Sequence, residues 1–306
     1  MSLEERIMVS RRGLLARSAA AAAVMSTGAH AASRAREEAR ARAKRAEQAR
    51  ARARVLGRNP IGLQLYSVRE DCKRDLPGTI EAVAKMGYKG VEFAGYYDYT
   101  AKQLRKMLDD NGLKCCGTHT ALTTLLGDEL EKTIEFNKTI GNKYLIVPGL
   151  PGKYRESHQA WLDTAKLFNE IADKVKPHGM LTGYHNHSVE FTAMDGELPW
   201  DTFYGNTNKE VVMQLDVGNA IGGGVDPLPY LYKYPDRAIT VHVKEHSKTD
   251  PNAFVGEGDV NWKAFFALCR AVGSTEWYIV EYERKGAAPL ESVERCLNNL
   301  RRLRLV

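Results

Sequence analysis

The stretch VVMQLDVGN, residues 211–219, indicates the fold class of this chain. It is a short apolar run that ends in polar residues, and longer amphipathic segments lie before and after it. Short apolar runs of this kind are typical of buried strands. Seven further runs share the pattern, so we predict eight strands, at residues 61–66, 90–94, 113–119, 143–149, 180–187, 211–219, 238–246 and 277–283.

Helical patterns separate these runs, and several of them end on glycine, as helices commonly do. The segment ELPWDTFYGNT after the fifth strand is the weakest pattern, so we expect a short helix there. Strict alternation of strand and helix over roughly 250 residues favours an α/β fold with one (β/α)8 TIM barrel. No Gly-x-Gly-x-x-Gly follows the first strand, which argues against a dinucleotide-binding sheet. We assign the barrel to residues 59–306.

Residues 1–32 have the pattern of a twin-arginine export signal. The segment SRRGLLA carries the paired Arg11 and Arg12, AAAAAVMSTG is a mild apolar run, and AHA offers a small-residue cleavage site. An alanine-rich amphipathic helix is the alternative. The apolar run falls short of ~20 residues and Arg17 interrupts it, so we expect no stable membrane anchor. This interpretation implies the twin-arginine export machinery as a partner and a periplasmic or secreted location.

Residues 33–58 are rich in alanine and arginine and show no large apolar stripe. A helix there would have no apolar face to bury, which favours an exposed linker, helical or disordered. The alternative is a basic surface that binds an anionic membrane or partner.

The formal charge of +6 is unevenly distributed along the chain. Residues 1–58 hold 14 Lys/Arg and 5 Asp/Glu, a net of +9, and the remaining 248 residues hold 30 and 33, a net of −3. An acidic body makes a nucleic-acid partner unexpected. The five cysteines are odd in number and have no Cys-x-x-Cys spacing, which favours buried thiols.

Polar side chains collect at the predicted strand ends, where the active site of a TIM barrel lies. Two of strands five to eight end in His, one in Asp and one in Glu, which is an N/O ligand set for a divalent cation. Since residues two apart share a face, we expect the first member of each pair to point into the barrel and the second to lie at the rim. These pairs are His185 and His187, His242 and Lys244, and Glu281 and Glu283.

Five motifs in chain order resemble the xylose isomerase-like TIM-barrel superfamily, the sugar phosphate isomerase/epimerase group. They are GYHNHSVEF (183–191), LDVGN (215–219), VHVKEH (241–246), GEGDVNW (256–262) and YIVEYE (278–283). This superfamily includes inosose isomerases and dehydratases, ketose 3-epimerases and endonuclease IV-type enzymes. The resemblance covers about residues 60–304. It implies a TIM barrel that binds a divalent metal at the mouth.

In that superfamily the metal is held by Glu, Asp, His and Glu from strands five to eight. The resemblance places the last three on Asp216, His242 and Glu281, whereas His185 stands where many members have the first Glu. Imidazole can replace carboxylate, and the resulting set has one negative charge less. We therefore expect Mn²⁺, Co²⁺ or Zn²⁺ rather than Mg²⁺.

The resemblance also implies catalytic and substrate-binding residues. Related epimerases use two glutamates to move a proton, and this chain offers Glu281 with either His185 or Glu190 as the second group. Lys244 is interpreted as a group for an oxyanion or carboxylate, or alternatively as a structural ion pair. The residues assigned to substrate binding are Gln64, Glu92, His119 and His187. Alternatives remain open for four of these residues. His119 could be a hydrogen-bonded core histidine, and Glu92 could be a surface carboxylate. His187 and Glu190 could support His185 or a substrate hydroxyl without taking part in the reaction.

The leading functional hypothesis is a metal-dependent sugar isomerase or epimerase that removes a proton next to a carbonyl of a sugar or cyclitol. Export favours an unphosphorylated substrate. The alternatives are a 3-keto-glycoside lyase on the same site, an endonuclease IV-like phosphodiester hydrolase with several metal ions, and a non-catalytic carbohydrate-binding barrel. The sequence leaves the sugar and the oligomeric state open.

Overall fold

The computed structural model describes residues 59–284 and 288–306, so the predicted export signal and linker lie outside the described residues. The strands form a closed parallel barrel in sequence order, which confirms the predicted (β/α)8 fold. They are β1 (Ile61–Gln64), β2 (Gly90–Phe93), β3 (Lys114–His119), β4 (Tyr144–Val147), β5 (Leu181–His185), β6 (Val212–Asp216), β7 (Thr240–Val243) and β8 (Trp277–Val280).

The α-helices surround the barrel and connect its strands. They are α1 (Arg69–Arg74), α2 (Leu76–Met86), α3 (Ala101–Asp110), α4 (Glu129–Ile140), α5 (His158–Val175), α6 (Pro199–Asn206), α7 (Val217–Gly222), α8 (Leu228–Lys233), α9 (Trp262–Leu268) and α10 (Pro289–Arg302). The helix expected to be short after the fifth strand is α6, with 8 residues. Within the described ranges, no helix has both the length and the apolar character needed to cross a membrane.

Most strands end earlier than the sequence pattern predicted, and at β1 and β6 the chain turns directly into a helix at the barrel mouth. Asp216 ends β6 and caps α7, since its Oδ1 accepts a hydrogen bond from the backbone N–H of Asn219 at 2.7 Å. Gln64 does the same after β1, where it accepts from the backbone N–H of Tyr66 at 3.0 Å. The polar residues at these strand ends are thus held in place by their own backbone contacts.

Aromatic residues fill the space between the barrel and its helices. Trp161, Phe168, Tyr184 and Phe203 pack edge to face or tilted against one another. Tyr184 belongs to β5 and points outward, opposite to His185, as the alternation of the strand predicts. All five cysteines are free and buried, which confirms the prediction for them.

The barrel interior has two parts. The apolar floor consists of Cys116, Tyr144, Ile146, Val212, Trp277 and Ile279. Nearer the carboxyl ends of the strands lies the polar layer, which we define as Gln64, Glu92, Gln214 and Thr240, all with 0% exposure. The inner face of β6 shows the order, because Val212, Gln214 and Asp216 follow one another at intervals of two residues.

Candidate metal centre

Four side chains from neighbouring strands converge at the mouth of the barrel. His185, Asp216, His242 and Glu281 each offer one donor atom, and these atoms lie within 4.8 Å of one another. Glu281 follows β8 directly, and all four residues are buried. The structure therefore brings together the four residues that the sequence analysis assigned to the metal.

Three donor atoms in this cluster are buried without a hydrogen-bond partner: Asp216 Oδ2, His242 Nδ1 and Glu281 Oε2. His242 Nδ1 lies 2.6 Å from Glu281 Oε2 and 3.7 Å from Asp216 Oδ2, so the close contacts of these atoms are with one another. Buried polar atoms are normally paired, and a carboxylate left unpaired costs free energy. Imidazole and carboxylate donors at this spacing fit a divalent cation about 2.0–2.2 Å from each.

The charges of the cluster also favour a bound cation. Burial lowers the pKa of His242, but the carboxylates of Glu92 and Glu281 raise it to about 10. Burial raises the pKa of Asp216 to about 7, against the attraction of Lys244. Although burial also opposes ionisation of Glu281, Lys244 and His242 hold its pKa well below the usual value. A proton on His242 thus supplies positive charge where a metal ion would.

His242 is oriented by Glu92 from across the barrel. Glu92 Oε2 lies 2.7 Å from His242 Nε2, and an ionised carboxylate only accepts hydrogen bonds. The Nε2 atom therefore carries the hydrogen, and Nδ1 faces the other donors. A carboxylate on the far nitrogen of a ligating histidine is a recurrent feature of metal sites.

Two glutamine amides hydrogen-bond to the Glu92 carboxylate, and the absence of a side chain at Gly117 leaves space for it. Gln64 Nε2 donates to its Oε2 at 2.7 Å, and Gln214 Nε2 donates to its Oε1 at 2.8 Å. A Cβ atom at Gly117 would lie 2.3 Å from Oε1, so a larger residue there would displace the carboxylate. The position of the Glu92 carboxylate thus depends on Gln64 of β1, Gly117 of β3 and Gln214 of β6.

This arrangement contradicts the predicted substrate contact for Gln64 and Glu92. Both side chains are fully buried, and their hydrogen-bonding atoms are engaged within the polar layer. The surface alternative for Glu92 is also wrong. Strands of a closed barrel are staggered, so residues at similar strand ends lie at different depths.

His119 lies beside the cluster and contacts the polar layer. Its ring centroid is 5.0 Å from that of His185 and 5.4 Å from that of His242, and its Nε2 is 2.9 Å from Gln214 Oε1. It also borders a cleft of about 270 Å³ that Tyr96 and Phe136 help to line. Its predicted contact with substrate stays a prediction.

Lys244 and His187 lie at the rim, as the alternation predicted. Lys244 Nζ donates to Glu281 Oε1 at 2.9 Å and also contacts Glu283, while 12% of its side chain is exposed. His187 is exposed, and its ring centroid lies 5.2 Å from that of His185. Both side chains can therefore reach a molecule bound at the mouth.

Glu190 does not support the proton-transfer role considered for it. Its Oε1 accepts from the hydroxyl of Tyr184 at 2.5 Å, and its Oε2 accepts from the backbone N–H of His187 at 2.8 Å. Tyr184 points toward the helices, so Glu190 fixes the loop after β5 from the outer side. His185 Nδ1 lies 3.1 Å from Gln214 Oε1, and a proton-transfer role for His185 stays a prediction.

The sequence analysis missed Gln214 and Asn186. Gln214 contacts Glu92, Thr240, His119 and His185. The side chain of Asn186 joins β5 to β6 through the backbone of Asp216, at 2.8 and 3.1 Å. The signal for Gln214 was present, because a polar residue two before Asp216 shares its inward face.

A closed parallel barrel with a cluster of N and O donors at its mouth defines a TIM barrel with a candidate metal site. Residues 80–303 match the family described as xylose isomerase-like TIM barrel, and the chain belongs to this family. The resemblance inferred from the five motifs is thereby confirmed.

Similar proteins within this family include enzymes. An inosose dehydratase of Clostridium perfringens is 27% identical in an alignment 252 residues long, which covers 69% of this chain and 84% of the relative. The crystal structure of a sugar phosphate isomerase/epimerase from Parabacteroides distasonis is 28% identical with a TM-score of 0.69, covering 81% of this chain and 95% of that one. These relatives confirm that the protein is an enzyme.

A third similar structure is that of the IOLI protein with a bound zinc atom. It has a TM-score of 0.63 and covers 81% of this chain and 98% of that one, and 14% of the aligned residues are identical. At this identity the likeness shows the shared fold.

Proposed function

We propose that the protein is a divalent-metal-dependent enzyme that removes a proton next to a carbonyl of an unphosphorylated sugar or cyclitol. The observation that carries this proposal is the convergence of three buried donor atoms beside His185 at the mouth: Asp216 Oδ2, His242 Nδ1 and Glu281 Oε2, whose close contacts are with one another. A bound divalent ion would polarise the carbonyl and acidify the adjacent C–H.

Within this class we propose an elimination, in which the substrate loses water or another group β to the carbonyl. Epimerisation needs proton transfer on both faces of one carbon, hence two flanking acid/base groups. Here His185 Nδ1 contacts Gln214 and its Nε2 would bind the metal, and Glu190 accepts a hydrogen bond from Tyr184. The dehydratase relative, 27% identical, supports the same choice.

An elimination needs a base that removes the α-proton and an acid that protonates the departing oxygen, and two residues at the rim can fill these roles. We assign the removal of the α-proton to His187, whose exposed imidazole lies at the mouth. The C–H electron pair then forms a carbon–carbon double bond as the β C–O bond breaks. We assign to Lys244, which donates a hydrogen bond to Glu281, the transfer of a proton to the departing oxygen. Its pairing with two carboxylates also supports a substrate without phosphate.

Metal content and deuterium exchange test this proposal together. Elemental mass spectrometry on the purified chain should find about one Mn, Co or Zn per molecule. An inosose and a 3-keto-glucoside, each incubated in D₂O with the metal-loaded enzyme, should give an unsaturated product by NMR. Asp216→Asn should lose metal and product, whereas Asp173→Asn, which removes an exposed carboxylate on α5, should retain both.

Other outcomes would redirect or end the proposal. Exchange of the α-hydrogen without an unsaturated product would indicate an isomerase or epimerase. Several metal ions per chain would favour the phosphodiester hydrolase. Absence of both metal and exchange would contradict the proposal and favour a binding barrel.

We also propose that the twin-arginine machinery exports the protein to the periplasm. The support is the pair Arg11 and Arg12 followed by an apolar run. Replacing both arginines with lysine should retain the protein in the cytoplasmic fraction of a host that has this pathway, and unchanged export would contradict the proposal.

A further inference from the structure

Gln214 occupies the centre of the polar layer and contacts two histidines. Its Nε2 lies 2.8 Å from Glu92 Oε1 and 3.1 Å from Thr240 Oγ1. Its Oε1 lies 2.9 Å from His119 Nε2 and 3.1 Å from His185 Nδ1. The side chain is fully buried, so these four contacts account for the hydrogen-bonding capacity of its amide.

The orientation of this amide follows from its neighbour Glu92. Glu92 Oε2 already accepts from Gln64 and His242, as an ionised carboxylate does. Gln214 Nε2 also lies 3.1 Å from Thr240 Oγ1, so the same NH₂ group contacts both partners on this side of the amide. The amide NH₂ must therefore face Glu92, because the reverse orientation would bring two oxygen acceptors together in a buried site.

A fixed amide determines which nitrogen of His185 carries the hydrogen. Gln214 Oε1 accepts only, so His185 Nδ1 must donate to it. A neutral imidazole has one N–H, and the lone pair is then on Nε2. Since metals bind the nitrogen that bears the lone pair, the hydrogen bond made by the other nitrogen selects the ligating atom.

We infer that Gln214 is a positioning residue that holds His185 with its hydrogen on Nδ1 and so prepares Nε2 to bind the metal. The inference rests on the proposed metal-dependent function. It gives the polar layer a specific role, since Glu92 sets the ligating nitrogen of His242 directly and that of His185 through Gln214.

Gln64 provides a matched control for this inference. It is also a fully buried glutamine that donates to Glu92, at 2.7 Å, and its Oε1 accepts from the backbone N–H of Tyr66. Within the described ranges, its side chain hydrogen-bonds to no histidine. A general loss of buried polar contacts would affect Gln64→Met and Gln214→Met alike, whereas a tautomer effect would appear only in Gln214→Met.

The test reads the tautomer in the metal-free full chain. Long-range ¹H–¹⁵N NMR on protein labelled with ¹⁵N-histidine distinguishes Nδ1–H from Nε2–H, and His185→Gln identifies the signal of His185. We expect Nδ1–H in the wild type and in Gln64→Met, and a shift toward Nε2–H in Gln214→Met. Nε2–H on His185 in the metal-free wild type would by itself overturn the inference, so the test remains if Gln214→Met does not fold.

Metal titration gives an independent reading. Affinity for Zn²⁺ and Co²⁺ should fall about 10–100-fold in Gln214→Met and less than about tenfold in Gln64→Met. Retention of Nδ1–H in Gln214→Met, or equal affinity losses in the two methionine variants, would overturn the inference. If the wild type binds neither ion, the proposed function fails and the inference with it, whereas metal binding with an unresponsive tautomer overturns the Gln214 inference alone.

Discussion

Val212 and Gln214 lie two residues apart on the inner face of β6, yet they belong to parts of the barrel that are held together differently. Val212 is in the apolar floor, where contacts are non-directional and depend on filled volume. Gln214 is in the polar layer, where each atom has a particular partner. The comparison indicates that the floor contributes to stability through filled volume, whereas the direction of the metal ligands depends on the polar layer above it.

The two parts also respond differently to a single change. A floor residue can be shortened, and the loss then reflects the cavity that remains. In the polar layer, removal of one partner leaves another buried donor or acceptor unsatisfied, at a cost of about 1–3 kcal/mol. Because Glu92 and Gln214 contact the histidines, a change in the layer is passed to the site.

The largest expected effect on stability comes from the floor. Ile146→Ala, on β4, should lower the free energy of unfolding by about 2–5 kcal/mol, because Ile146 has 0% exposure and β4 carries none of the four donors. Denaturant unfolding measures the loss. Zn²⁺ affinity of the folded variant should remain that of the wild type, and a large fall in affinity would contradict the separation of floor and layer.

Metal binding at the four donor residues should raise the free energy of unfolding. A metal ion that binds only the folded chain, at 100 times its Kd, raises the free energy of unfolding by about 2.7 kcal/mol. We expect Zn²⁺ or Co²⁺ to raise the thermal midpoint of the wild type and EDTA to reverse the rise. Asp216→Asn removes one of the donors and should respond weakly, with Asp173→Asn as the control. Equal shifts in the wild type and Asp216→Asn would place the metal elsewhere.

Glu92→Gln should weaken the metal site from across the barrel. Glu92 accepts from His242 Nε2 with Oε2 and from Gln214 Nε2 with Oε1. The amide that replaces the carboxylate has only one oxygen acceptor, so one of these two hydrogen bonds is lost. We expect metal affinity to fall about 10–100-fold. Isothermal titration with Zn²⁺ measures the fall. Glu190→Gln, which also alters a buried carboxylate, is the control, and an equal loss there would show that the contact with His242 is not the cause.

The fold was predictable because it rests on local patterns. Eight apolar runs alternating with amphipathic segments are visible in the sequence. The same-face rule for residues two apart selects His185, His242 and Glu281, and the resemblance to the family adds Asp216. The depth of a side chain was not predictable in this way. Gln64 and Glu92 stand near strand ends like the ligands, but barrel stagger places them beneath the site.

Partners across the barrel were equally hidden from the sequence. Glu92 meets His242 at a separation of 150 residues and Gln214 at one of 122. No spacing rule connects such pairs, so the polar character of Gln214 could be read from β6 but its contacts with His119 and His185 could not.

The smallest expected effect is that of Glu190→Gln, which tests whether the loop after β5 takes part in the reaction. The new amide can still accept from the hydroxyl of Tyr184, but its NH₂ cannot accept from the backbone N–H of His187. Loss of one such hydrogen bond costs about 0.5–1.5 kcal/mol, so we expect a small fall in stability and at most about a tenfold fall in kcat/KM. A group that transfers a proton typically contributes about 10²–10⁴-fold. A loss of that size, with metal affinity unchanged, would mean that the Glu190 carboxylate leaves Tyr184 and turns toward the bound substrate. The reaction would then use a side chain that has no contact with the polar layer.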